Sequence, residues 1–371
     1  MNMDLLRVMI IDDSALIRRS LSQILQADKD IGAVEALPDG AVALEEMNRF
    51  KPDVVVLDVH MPKMDGLQVL REIMIRQRVP VIMFSSLTTS GAEITLQALR
   101  LGAVDFVTKP KGNLAENLGF LSRHMTAKIK TAKDAKVFGG RRAEPGAPLP
   151  DLPPKGPQFS KPPLAAVPIA NPPLVVIGCS TGGPQALEEI IPKLPASFPA
   201  AIGIVQHMPE PFSRVFAEHL DQQCALRVKT AAANDFFQPG LVLIAPGDAH
   251  MRVINKEGRF LAGLEPFPRQ EFGWMPSVDS FFYSAARAAA RNTLGVLLTG
   301  MGRDGAKGMA AIKILGGKTI AQDESTCVVY GMPRAAVEIA ATDFVIPLDG
   351  IPALMEKHSR GGLEKPKDRH L

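Results

Sequence analysis

Residues 174–187 read LVVIGCSTGGPQAL. An apolar run is followed by a glycine-rich turn and then by residues with a helical period, so the stretch reads as buried strand, sharp turn and helix. Gly178, Ser180 and Gly182 satisfy the pattern G-x-S-x-G. In that pattern glycines permit the turn and a serine is presented at the strand end. The N–H groups of the following helix point to the same spot and are suited to an oxyanion. A glycine-rich phosphate-binding turn has the same composition, so the turn alone leaves both readings open.

Working outward, the alternation continues downstream. AIGIVQ, LGVLLT, KTIAQ and FVIPL read as buried strands, and PQALEEIIPKL, PFSRVFAEHLDQQ, DSFFYSAARAAARN and AKGMAAIKILG as helices. LVLIAPGDAHMRVIN followed by GRFLAGL reads as an antiparallel hairpin within a mixed sheet. The expectation for residues 174–357 is an α/β domain with a large, mostly parallel Rossmann-like sheet and an antiparallel hairpin. Residues 358–371 are polar and expected to be disordered.

Upstream, residues 141–173 hold eleven prolines. Such a segment makes neither regular helix nor central strand, and reads as a semi-rigid linker spanning 125–173 with a charged helix end near 113–134. Residues 1–124 alternate again. RVMIID, VVVLD, VIMFS and DFVTK read as parallel strands, and Ile17, Leu21, Ile24 and Leu25 share a helical face. Two doubly wound α/β domains are expected, the first with five parallel strands.

Composition limits the function. With 371 residues the chain has room for two or three domains, and a net charge of +3 gives no argument for nucleic acid. Cys179, Cys224 and Cys327 are widely spaced and odd in number, which suggests neither a disulfide framework nor a zinc site. No signal peptide and no bilayer-length apolar run is read, so a reducing cytoplasm without membrane insertion is expected.

Two constellations carry chemistry. Asp12 and Asp13 end the first strand and Asp58 the third, and ligands of open parallel sheets gather at such carboxyl ends. Three carboxylates there repel one another unless a cation intervenes, and an all-oxygen cluster suits Mg²⁺. Ser85 and Lys109 reach the same edge, completing a set able to hold a transferring phosphoryl group while one carboxylate attacks phosphorus. In the second half Ser180 needs a base. His207 follows a strand directly, whereas His219 lies in a polar helix, as for a solvated surface residue, and His250 in the hairpin, where a structural role is as good a reading. Asp304, in LLTGMGRDGAKG, is the carboxylate placed to orient His207. The chain order Ser, His, Asp differs from the Ser, Asp, His of α/β-hydrolases. GMGRDG at 300–305 with Asp323 also matches a dinucleotide fingerprint, but it comes late in the domain and gives Ser180 and His207 no role.

The first segment resembles the receiver domains of response regulators through IIDDS, LDVHMPKMDG, FSSLT and GAVDFVTKP. The resemblance implies that Asp58 accepts phosphate from a CheA-type histidine kinase. It further implies that Asp12, Asp13, Asp58 and the carbonyl of His60 hold Mg²⁺, and that Ser85 and Lys109 bind the phosphoryl oxygens. The second segment resembles the catalytic domain of chemotaxis-receptor methylesterases, the CheB family. IGCSTGGPQAL, QHMPEPF, APGDAHM, PSVDSFF, LTGMGRDGAKGM and AQDESTCVVYGMPRAA carry that likeness. It implies a triad of Ser180, His207 and Asp304, with Thr181 and Met301 in the oxyanion region and no cofactor in this domain. The implied substrates are glutamyl methyl esters, and certain glutamines, of methyl-accepting chemoreceptors, with activity raised by phosphorylation. Cys179 stands where the family usually has alanine, and the arginine expected just before Pro276 is missing. A phosphorylation-dependent adaptor without catalysis is the alternative.

Overall fold

The computed structural model describes residues 5–110, 114–137, 161, 164, 169–266 and 276–361. They fall into two units, Met1–Pro154 and Lys155–Leu371, each built on its own parallel sheet.

The first unit runs β1 (Leu6–Ile11), α1 (Ala15–Gln26), β2 (Ile31–Leu37), α2 (Gly40–Phe50), β3 (Val54–Asp58), α3 (Gly66–Arg76), β4 (Val81–Ser85), α4 (Thr89–Leu101), β5 (Asp105–Thr108) and α5 (Leu114–Lys133). Its five parallel strands lie in the order β2-β1-β3-β4-β5. VVVLD is buried along its length because helices cover both faces of such a sheet. At the edge, β2 is fully buried only at Ile31, and Glu35 interrupts its apolar residues. Ser14, Asp39, Asp65 and Thr88 cap α1 to α4 with side-chain oxygens, which starts each helix just beyond a strand end. The face foreseen on α1 is graded: Leu21 and Leu25 are buried, Ile17 and Ile24 half-buried.

The second unit contains β6 (Leu174–Cys179), α6 (Gly183–Ile190), β7 (Ala201–Gln206), α7 (Phe212–Gln223), β8 (Arg227–Thr230), β9 (Leu241–Ile244), β10 (Ala249–Lys256) and β11 (Arg259–Pro266). After these come α8 (Val278–Ala289), β12 (Thr293–Leu297), α9 (Ala306–Ile314), β13 (Lys318–Gln322), α10 (Met332–Glu338), β14 (Phe344–Ile346) and α11 (Ile351–Ser359). Seven strands form one sheet in the order β14-β13-β12-β6-β7-β9-β8, and every pairing is parallel.

Here the sequence reading needs correction. LVLI is not part of the hairpin; as β9 it is buried throughout and pairs with β7 and β8. The turn at Pro246–Asp248 separates it from β10, which alternates buried and exposed residues as a one-faced strand does. The hairpin β10–β11 is thus a separate antiparallel pair, and the main sheet is not mixed. The short edge strand β8 (RVKT) and the helices α10 (MPRAAVE) and α11 (IPALMEKHS) went unread, because they are short and prolines or polar residues interrupt their apolar positions. His358 and Ser359, placed in a polar tail by the sequence, belong to α11, while residues 362–371 lie outside the described residues. Most of the proline-rich segment also lies outside them. Among its described residues, Lys161 pairs with Asp221, Leu164 packs on the core of the second unit, Asn171 N–H donates to the Gly258 carbonyl at 2.7 Å, and the Pro173 carbonyl accepts the Ala201 N–H at 2.9 Å.

The helix α8 is seated directly on β6. A side chain at Gly178 would have its Cβ 2.2 Å from Val278 Cγ1, so only glycine lets the start of α8 approach the strand that leads into Ser180. Phe281 packs against Phe237 and Phe282, with ring centroids 6.3 and 6.2 Å apart. These rings anchor α8 in the core, so its first turn has a fixed position.

Candidate phosphoacceptor and nucleophile sites

In the first unit, β1 and β3 are neighbours, and the chain order reverses between them. A crevice opens at such a point, at the carboxyl ends of the strands. Asp12, Asp13 and Asp58 meet there, each with one oxygen within 4.8 Å of the others. Lys109 Nζ lies 2.8 Å from Asp58 Oδ2 and 3.0 Å from Asp12 Oδ2. The Asp58 carboxylate also accepts the His60 N–H at 3.3 Å. Burial pushes the Asp58 carboxyl above the usual range, and although Lys109 pulls it down, the charge of Asp12 adds to the rise. Burial opposes the Lys109 ammonium, but Asp58 and Asp12 outweigh it and hold its pKa high. The site therefore has negative charge left over after its lysine is counted, in a group of oxygens with Asp13 open to water. Hard, partly hydrated Mg²⁺ fits that donor set. Ser85 is fully buried at the end of β4 and its hydroxyl donates to the Gly91 carbonyl at 3.2 Å.

In the second unit the reversal falls between β12 and β6. The strands β12, β6 and β7 are consecutive in the sheet, and the chain leaves them towards Asp304, Ser180 and His207 respectively. Main-chain bonding continues past the strand ends. His207 N–H donates to Cys179 O at 3.1 Å, and Ser180 N–H to Thr299 O at 3.0 Å. Ser180 and His207 are thereby fixed on adjacent strands. The buried amide of Gln206 adds a second tie, donating to Ser180 O at 2.9 Å and to His207 O at 3.2 Å. Asp304 Oδ2 lies 2.9 Å from His207 Nε2, and both side chains are almost fully buried.

Asp304 arrives by a turn in which Gly302 and Gly305 adopt left-handed φ of +86° and +92°, which glycine takes at little cost. Gly300 has a different role: a Cβ there would stand 2.8 Å from Ser180 Cβ. The Asp304 carboxylate accepts the N–H groups of Val278 at 2.8 Å and Asp279 at 2.9 Å, and the Ser277 hydroxyl at 3.3 Å. It sits on the N-terminus of α8, where unsatisfied N–H groups and the helix dipole favour negative charge. Burial works against this carboxylate, but His207 and those two amides outweigh it, and its pKa is lowered.

The sequence did not single out Gln206, Ser277, Thr299 or Gln322 as parts of the site. Thr299 N–H donates to Gln322 Oε1 at 2.8 Å, and its hydroxyl donates to Thr181 O at 3.0 Å. Polar residues closing otherwise apolar strands, as in AIGIVQ and KTIAQ, were the available signal. Thr181 is buried beside Ser180, and Met301 half-buried in the turn that leads to Asp304. His250 Nδ1 accepts the Ser277 N–H at 3.0 Å, and His219 is half-buried on α7 rather than solvated. Cys179 is fully buried and burial pushes its thiol pKa far up, as expected for a packing residue. Residue 275, where an arginine was expected, lies outside the described residues. No described helix is long and apolar enough to cross a membrane.

Residues 175–355 match the family model for the CheB methylesterase, and residues 8–118 that for the response regulator receiver domain. The protein-glutamate methylesterase/protein-glutamine glutaminase 2 of Pseudomonas aeruginosa is 45% identical over 96% of this chain and 97% of its own length. The protein-glutamate methylesterase/protein-glutamine glutaminase of Bordetella bronchiseptica is 43% identical over 93% of this chain and 95% of its own. Among solved structures, the CheB methylesterase catalytic domain of Thermotoga maritima is 42% identical, covering 50% of this chain and 98% of that one, with a TM-score of 0.48.

Proposed function

The chain belongs to the CheB methylesterase family, and from that premise we propose how its residues divide the work. It is a protein-glutamate methylesterase and protein-glutamine glutaminase carrying a response-regulator receiver, a hydrolase of chemotaxis adaptation. In our reading Ser180 is the nucleophile, His207 the base and Asp304 the group that orients it. The observation that carries this reading is the 2.9 Å bond from Asp304 to His207 Nε2, on strands flanking the one that delivers Ser180.

Because Asp304 holds Nε2, the ring nitrogen that takes the Ser180 proton is Nδ1. The serine oxygen attacks the glutamyl ester carbonyl, and the N–H groups of Thr181 and Met301 receive the oxyanion. The proton passes from Nδ1 to the departing methoxide, and methanol leaves. Water, activated by the same nitrogen, then cleaves the acyl-enzyme and restores Ser180. With a glutamine the leaving group is ammonia. Asp304 stabilises the imidazolium formed on the way. Serine, imidazole and carboxylate make a complete set for acyl transfer, so we assign no cofactor to this unit.

In the receiver, Asp58 attacks the phosphoryl group offered by a CheA-type histidine kinase, and Ser85 and Lys109 bind its equatorial oxygens. Asp12, Asp13, Asp58 and the His60 carbonyl would hold Mg²⁺, which when bound supplies positive charge opposite those oxygens. The substrates are methyl-accepting chemoreceptors, met in the cytoplasm. The covalent linker holds the receiver near the catalytic unit at high effective concentration, and phosphorylation releases a restraint on turnover.

Methanol release from methylated receptor, measured with a small-molecule phosphodonor, tests the assignment. The variant Ser180→Ala should lose about 10⁵–10⁶ in turnover. Near-parental turnover in that variant would remove Ser180 from the mechanism.

A further inference from the structure

The base is held by Asp304, and Asp304 is held by the first turn of α8. What fixes that first turn lies outside the triad. Strand β10 runs beside α8 and bonds to it at three places. His250 Nδ1 accepts the Ser277 N–H at 3.0 Å, Val253 N–H donates to Ser284 Oγ at 2.9 Å, and Asn255 Nδ2 donates to Ala288 O at 2.8 Å. The first of these lies at the end that touches Asp304. Ser277 is the residue on which the two lines meet. Its N–H goes to His250, while its hydroxyl accepts the Ser280 N–H that caps α8 and donates to Asp304 Oδ1.

From this geometry we infer that His250 is a positioning residue for the hydrolysis, acting through Ser277 on Asp304 and through Asp304 on His207. The inference rests on the triad reading given above. A backbone N–H can only donate, so Nδ1 is the unprotonated nitrogen and the ring is the Nε2–H tautomer. Without that acceptor the Ser277 amide has no fixed partner at the mouth of the cleft, and the turn that carries two amides to Asp304 can shift. A shift of about 1 Å in a group this close to the chemistry costs on the order of 10²-fold in rate. The hairpin, separate from the main sheet, thereby acquires a function: it aligns the helix end that carries the carboxylate.

His250 also lines the cleft beside Asp304, together with Arg303, Lys307 and Ile339, so contact with substrate is the competing role to be separated. Full-length H250A, H250N and N255A proteins are assayed for methanol release under phosphodonor, with S180A and H207A alongside. Asparagine places Oδ1 where the ring has Nδ1 and keeps the acceptor. Expected are a kcat in H250A lower by about 10- to 100-fold at unchanged KM, recovery in H250N to within about threefold, and a kcat in N255A within about twofold. An unchanged kcat in H250A, an effect on KM alone, equal impairment of H250A and H250N, or a loss as deep as that of H207A would each overturn the inference. Turnover retained in S180A would instead undo the triad reading beneath it. Should H250A fail to fold, nitrogen–proton couplings of the His250 ring in the unaltered protein decide the matter: an Nε2–H ring supports the inference and an Nδ1–H ring ends it.

Discussion

The two sites occupy the same place on two sheets and solve opposite electrostatic problems. Each sits where the strand order reverses, between β1 and β3 in one unit and between β12 and β6 in the other. At the first, three carboxylates crowd around one lysine, and the Asp58 carboxyl is pushed up. At the second, one carboxylate meets two helix-start amides, a hydroxyl and an imidazole, and its pKa is lowered. The receiver site is short of positive charge and is completed by what binds to it. At the second site the Asp304 charge is met by donors from the chain itself. A shared scaffold thus fixes where chemistry happens, and the local balance of charge decides which chemistry.

The contrast is sharpest in the two aspartates. Asp304→Asn should lower methanol release by about 10⁴-fold, because an amide has one accepting oxygen and an NH2 that only donates, and the imidazole tautomer is no longer enforced. Its stability should fall as well. The lowered pKa of Asp304 contributes stability that is present above the unfolded carboxyl value of about 4, and that contribution is lost as pH falls through the folded value. The deficit of the variant, followed by thermal unfolding, should therefore shrink on acidification. An equal deficit at all pH values would break the comparison.

Asp58→Asn should do the reverse. Between the unfolded carboxyl value of about 4 and the raised folded one, Asp58 holds a proton more readily in the folded receiver than in the unfolded chain, so stability falls as pH rises through that window. Without divalent cations at neutral pH, the variant should unfold at a temperature higher on the order of a few degrees. That gain should fade in acid, where the native carboxyl is itself neutral. Basal methanol release should stay within about twofold of the parent while activation by phosphodonor disappears. A lower melting temperature would show that Lys109 fully compensates the cluster.

The smallest effect is expected at Cys179. Beside the nucleophile in sequence, it is fully buried with its Sγ 3.8 Å from Val205 O. Cys179→Ala should change turnover by less than about twofold, the usual result for a small, volume-tolerant replacement distant in orientation from the reacting atoms. Alkylating reagents should leave the native thiol untouched, and rapid labelling would give it the reactivity its burial denies.

Much of both sites was legible because strand ends are legible. VVVLD and LVVIGC are apolar runs that stop at a polar residue, and in a parallel sheet that residue lies on the ligand-binding edge. The chain order of Ser180, His207 and Asp304 likewise separated this sheet from the α/β-hydrolases. What stayed hidden depends on tertiary position. LVLI joined the wrong sheet because a buried run carries no mark of its neighbour. RVKT, at a sheet edge, is half exposed and shows no run at all. The role of Ser277 and its amide could not be read, because main-chain donors have no letter in a sequence.

The bonds from His207 N–H to Cys179 O and from Ser180 N–H to Thr299 O carry a consequence for control. They make Ser180 and His207 parts of one continuous main-chain lattice. Pulling the pair apart would mean tearing adjacent central strands, a cost on the scale of the stability of the unit itself, about 5–15 kcal/mol. A coupling free energy between two sites is typically about 1–3 kcal/mol, far less than that. In the reading proposed above, phosphorylation would therefore act on access to Ser180 and His207 and not on the spacing of their backbones.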